Sequence, residues 1–104
     1  MTNSMRPIHP GEILREEMEE LQFSARQLAT ALHVPPNRIT GILNEQRAVT
    51  ADTALRLARF FGTTPEFWMN LQAAYELRQT RFAHGEKISK EVQPHAPERI
   101  FFTR

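Results

Sequence analysis

Apolar residues recur every three or four positions in five stretches of this 104-residue chain, and residues that start or stop helices bound each stretch. Ile13, Leu14, Met18 and Leu21 form the first stripe behind Pro10, which suits a first helical position, so a helix is predicted from Pro10 to about Leu21. Ser24 opens the second helix with a full set of local signals. Ser24 and Gln27 make an S-x-x-Q capping box, and Phe23 and Leu28 make the matching hydrophobic staple. Pro35 keeps Val34 out of helical backbone, so this helix stops by about His33. Pro36 begins a third helix that extends to about Asn44. Thr50 caps a fourth, with Asp52 at its positive end, Ala54, Leu57, Ala58 and Phe61 facing inward, and Gly62 as a left-handed C-cap. Thr64 and Pro65 open a fifth helix predicted to end near Gln79.

The second and third helices are short and joined by a tight turn. Leu28, Leu32, Val34, Ile39 and Ile42 close their inner face, and Ala29 sits at the crossing, where a larger side chain would hold the helices apart. The next positions out, Asn37, Arg38, Thr40 and Asn44, are all hydrogen-bonding types. This is the pattern of a helix-turn-helix, which lays its second helix in the DNA major groove. The expected fold is all-α: a five-helix DNA-binding domain over 8–79, between a flexible N-terminus 1–7 and a tail 80–104.

The fifth helix is too apolar for one buried stripe, since Phe67, Trp68, Met69, Leu71, Ala74 and Tyr75 cover a broad arc. Part of the arc is assigned to a homodimer seam formed by Phe67, Trp68, Leu71 and Tyr75; the competing account puts all of it in the protomer core. Dimerisation doubles the contacts that one short recognition helix makes on a palindromic site. After Gln79 a Gly, two Pro and mixed charges leave no sustained period. That tail is read as irregular, with Ile88 and Val92 marking short extended segments and an apolar ending, IFFTR.

Composition narrows the chemistry. The net charge is +1, from 13 Lys and Arg against 12 Asp and Glu, so nucleic-acid binding has to come from where the charges lie. Arg26, Arg38 and Arg47 cluster around the third helix, whereas Glu12, Glu16, Glu17, Glu19 and Glu20 crowd the first. The absence of cysteine excludes disulfides, Cys-ligated zinc and thiol catalysis. No apolar run approaches the roughly 18 residues of a membrane span, and the N-terminus has no signal-peptide h-region, which implies a cytoplasmic location and no membrane partner. His9, His33, His84 and His95 share no metal-ligand spacing and are read as turn or surface residues. Neighbouring glutamates of the first helix point apart, with no His or Lys base beside them, and there is no Gly-rich phosphate loop. No enzyme, metal, cofactor or small-molecule substrate is expected.

HPGEIL at 9–14, NRITGILNEQRAVTADTALRLARFFGTTPEFWMNLQAAYEL at 37–77 and the helix-turn-helix between them resemble the HigA antitoxin family, of the lambda-repressor-like helix-turn-helix proteins. The resemblance covers roughly 8–79, and TADTALRLA and PEFWMNLQ carry it more specifically than the helix-turn-helix alone. It implies an antitoxin of a type II toxin–antitoxin module that binds operator DNA as a dimer and represses its own operon. Its second partner would be a RelE-like toxin that cuts mRNA on the ribosome, bound through the acidic first helix or the tail. By the family pattern the base-contacting positions are Pro36, Asn37, Thr40, Gly41 and Asn44. Asn37 suits adenine and Thr40 a thymine methyl or a base acceptor; Arg38 is left between a phosphate and a guanine edge; Gln27 and Arg47 suit phosphate anchoring. A stand-alone regulator of the same fold is the alternative.

Four features depart from the family pattern. His33 replaces the usual turn glycine and has to accept left-handed backbone. Pro35 and Pro36 remove two donors. Gly41 costs up to about 1 kcal/mol in a helix interior relative to Ala, and either lets DNA approach closely or avoids a clash. Glu45 and Gln46 stand where relatives carry a Gly-containing turn.

Overall fold

A computed structural model of the chain describes residues 6–95. Five helices follow in order: α1 Pro10–Leu21, α2 Ala25–Leu32, α3 Pro36–Leu43, α4 Ala51–Phe61 and α5 Pro65–Glu91. The starts follow the predicted chemistry. Ser24 Oγ accepts from Gln27 N at 3.1 Å while Gln27 Oε1 accepts from Ser24 N at 2.8 Å, completing the capping box. Thr50 and Thr64 cap α4 and α5 through their hydroxyl oxygens. Three of the helices end on left-handed residues: Gln22 (φ 57°), His33 (φ 60°) and Gly62 (φ 76°). His33 therefore takes the backbone that a turn glycine would otherwise supply.

The core gathers Leu14, Leu28, Leu32, Ile39, Ile42, Val49, Leu57 and Trp68, with Phe23, Phe60, Phe61 and Leu71 packed around it. α2 packs on α3 and α4, α4 on α5, and α1 lies against both α3 and α5. Ala29 is 1% exposed at the α2–α3 crossing, where a larger side chain has no room.

The N-terminus of α1 is set by two residues with little sequence signal. His9 is buried; its Nδ1 accepts from Gly11 N at 2.9 Å, and its ring meets Tyr75 of α5 edge-on at 4.7 Å. Gly11 lies so close to α3 that a Cβ would run into the carbonyl oxygen of Ile42. His9 is thus an internal cap and not a surface residue. Burial pushes its imidazole below the ordinary value near 6.5, outweighing the opposing pull of Glu45 and Glu12. An imidazole that accepts at Nδ1 is neutral, so the folded chain binds fewer protons than the unfolded chain near that value. Its stabilising contribution is complete above about pH 6.5 and is lost as pH falls through the unfolded value toward the lower folded one. Urea denaturation from about pH 8 to about pH 5 should show this loss, and His9→Asn, a non-titrating cap, should flatten it. An unchanged pH profile in His9→Asn would remove His9 from the account.

Two expectations are corrected. α5 does not stop near Gln79 but runs 27 residues to Glu91, about 40 Å, so residues 80–91 are helical and Ile88 is not in an extended segment. A lone Gly85 only weakens a helix, whereas Pro94 stops it; Val92 is already extended at φ −105°, ψ 113°. Glu86–Lys90 and Lys87–Glu91 pairs lie along the exposed end. That end has no core to face, which is why it shows no apolar period. The second correction concerns Trp68, which is 0% exposed inside the protomer and unavailable for a dimer seam. At the other terminus, Arg6 pairs with Glu12 at 2.8 Å. The IFFTR ending lies outside the described residues. No helix among the described residues is long and apolar enough to cross a membrane.

Candidate nucleic-acid interface

α3 is held by its buried face, Ile39 and Ile42, against α2 and α1, which leaves Pro36, Asn37, Thr40 and Asn44 exposed in one turn-to-turn row. Pro35 offers no side-chain cap to the start of this helix. Asn37, at the second helical position, is therefore a polar side chain at the electropositive end. Thr40 Oγ1 donates back to Asn37 O at 3.4 Å, and the side chain remains exposed. Asn44 closes the helix.

Arg47 follows the turn after α3. Its amide and that of Gln46 both donate to Gly41 O, at 3.1 and 2.9 Å. A Cβ on Gly41 would sit 3.2 Å from Arg47 Cβ and 3.6 Å from Cδ and Nε. Gly41 thus leaves room for the Arg47 side chain, which supports the account in which this glycine avoids a clash. Glu45 takes the left-handed conformation (φ 61°) that a glycine would otherwise fill in this turn. Arg38 and Arg47 both line a cleft of about 230 Å³, together with Ala48, Thr50 and Thr53. Gln27 is exposed one turn into α2, although its Oε1 is engaged by the capping box. Arg26 is not part of the cleft; it lines a separate groove on α2 with Phe23, Gln27 and Thr30.

Residues passed over in the sequence support this surface. Gln72 of α5 is buried; it accepts from Val49 N at 2.8 Å and donates to Glu76 at 2.8 Å, pinning the loop that carries Arg47. The available signal was a polar residue four places after Trp68, on the inward face of α5. Asp52 sits in the first turn of α4, at its positive end as expected, and also binds Arg38 at 2.6 Å and Arg56 at 2.9 Å. Of the four residues assigned to a dimer seam, Phe67 is exposed, Leu71 and Tyr75 are half-buried, and Trp68 is internal.

A buried-backed helix pair that presents a polar row beside two arginines defines a helix-turn-helix protein. The helix-turn-helix family matches this chain over residues 14–68. A HigA-family addiction module antidote protein from Coxiella burnetii superposes with a TM-score of 0.85 at 62% identity, over 86% of this chain and 99% of that one. The Pseudomonas aeruginosa antitoxin HigA, solved with the higBA promoter, superposes at 0.84 with 47% identity, over 88% and 100%. Antitoxin HigA-1 of Vibrio cholerae is 38% identical over 90 residues, 86% of this chain and 84% of that protein. The chain belongs to the HigA antitoxin family of helix-turn-helix proteins.

Proposed function

We propose that this chain is the antitoxin of a type II toxin–antitoxin module, which binds its operator as a homodimer, represses its operon and neutralises a RelE-like mRNA-cleaving toxin. The observation that carries the DNA half is the exposed row Asn37, Thr40 and Asn44 beside Arg38 and Arg47, in a fold shared with a HigA solved on promoter DNA. Asn37 and Thr40 read base edges, Asn44, Pro36 and Gly41 lie along the same helix face, and Arg47 and Gln27 anchor phosphates. Homodimerisation is favoured by α5, where Phe67, Met69, Leu77 and Phe82 are exposed on a single helix. Phe67, Leu71 and Tyr75 remain the seam residues of this reading. The exposed glutamates 16, 17, 19 and 20 of α1 suit a basic ribonuclease electrostatically.

Asn37→Ala should cost about 1–3 kcal/mol on the operator and relax preference at one base position, whereas Arg47→Ala should weaken all sequences alike and reduce the salt slope by about 1. Binding titrations on operator and mutated duplexes over a salt series separate the two. Equal, sequence-independent losses in both variants would overturn the assigned roles. Co-expression with the product of the adjacent gene tests the antitoxin half, scored by growth rescue and co-purification. A harmless, non-interacting neighbour would leave a stand-alone regulator.

A further inference from the structure

Arg38 carries the single charge of α3, and it is already engaged. Its Nη1 donates to Asp52 Oδ2 of α4 at 2.6 Å, and the same oxygen accepts Arg56 Nε at 2.9 Å. Arg56 in turn donates Nη1 to the Leu32 carbonyl, at the C-terminal end of α2, at 2.9 Å. One chain of hydrogen bonds therefore ties the recognition helix, through α4, to the end of α2 at the turn. The Asp52 side chain is 55% exposed and that of Arg38 28%. Ion pairs this open to solvent add little to stability, so the network matters more for where it points Arg38 than for the strength of the fold.

A long arginine on a DNA-facing helix will otherwise pair with any phosphate in reach, and that attraction is independent of sequence. Pairing through Nη1 leaves the other N–H groups of the guanidinium for one further partner in a fixed direction. We propose that Asp52 is a specificity-determining positioning residue, which restrains Arg38, lowers the attraction of α3 for non-cognate phosphates and orients the guanidinium for the cognate site. This rests on the DNA-reading role of α3 proposed above. Asp52 itself need not touch DNA.

Asp52→Asn keeps the shape and removes the charge. The full-length chain would be titrated on two probes over a salt series: a duplex of the DNA upstream of its own gene, and a shuffled duplex of the same composition. The variant should bind the shuffled duplex about three- to ten-fold more tightly, with a salt slope steeper by about 0.9, the mark of one further phosphate contact. Its gain on the upstream duplex should be smaller, so discrimination falls. Adding Arg38→Ala should abolish the gain. An equal gain with and without Arg38 would mean that Asp52 acts only as a negative charge, and would overturn the proposal, as would unchanged discrimination. A wild-type chain that does not distinguish the two duplexes would instead sink the DNA reading of α3, and the proposal with it, before any variant is compared. Asp52→Ser, also compatible with the first turn of a helix, gives the same readout if Asn perturbs α4 in a thermal melt.

Discussion

Trp68→Ala should cost the fold about 3–5 kcal/mol, the range for deleting a buried aromatic side chain. Trp68 is 0% exposed, meets Phe61 and Phe67 at ring-centroid distances of 6.0 and 5.1 Å, and donates its indole N–H to Thr63 Oγ1 at 2.9 Å. The truncation removes those contacts and leaves a cavity between α4 and α5. Against a total stability of about 5–15 kcal/mol for a domain of this size, that is a large fraction of the margin. The melting temperature should fall by about 15 °C or more, or the chain should not fold cooperatively at all. Phe67→Ala is the informative contrast. Phe67 is 41% exposed and meets Trp68 edge-on inside the protomer, so its loss should lower the melt far less than Trp68→Ala at low protein concentration and weaken self-association, measured by sedimentation. A small effect of Trp68→Ala on the melt would contradict its placement in the core.

Gly11→Ala pits two effects against each other. Helix propensity alone favours Ala by about 0.5–1 kcal/mol inside a helix. Packing opposes it, because the new Cβ would overlap the Ile42 carbonyl oxygen, which is backbone and cannot rotate away. Overpacking of this kind typically costs about 1–3 kcal/mol, and the His9 cap sits on the same amide, so the loss should win. The expected outcome is a melting temperature lower by up to roughly 20 °C. DNA affinity should fall as well, because Ile42 belongs to α3, the helix proposed to read DNA, and α1 would be levered off its end. A melt that rises would show that α1 can tilt to admit a methyl group.

Both predictions concern contacts that the order of residues does not announce. Helix starts were legible because a cap and its target lie three residues apart, as in Ser24 and Gln27 or Thr64 and Phe67. The α2–α3 pair was legible for a similar reason, since its apolar positions and its turn fall within about one short segment. Pro35 showed only that α2 had to end by about His33; the left-handed backbone of His33 was implied by the resemblance, in which a turn glycine stands at that place. The run of α5 past Gln79 was local too, but it was obscured: a helix that faces solvent all round carries no apolar stripe to betray it.

What the sequence by itself determined, then, is the set of five helix starts, the helix-turn-helix and the row of polar side chains on its outer face, all of them governed by interactions within a turn or two. The tertiary structure alone decided that Trp68 belongs to the core, that Tyr75 packs on His9, that Gln72 pins the Arg47 loop from 23 residues away, and that Asp52 restrains Arg38 from 14. Each of these depends on how helices cross, and crossing is set by the summed packing of many side chains. No pair of positions in the sequence carries that information.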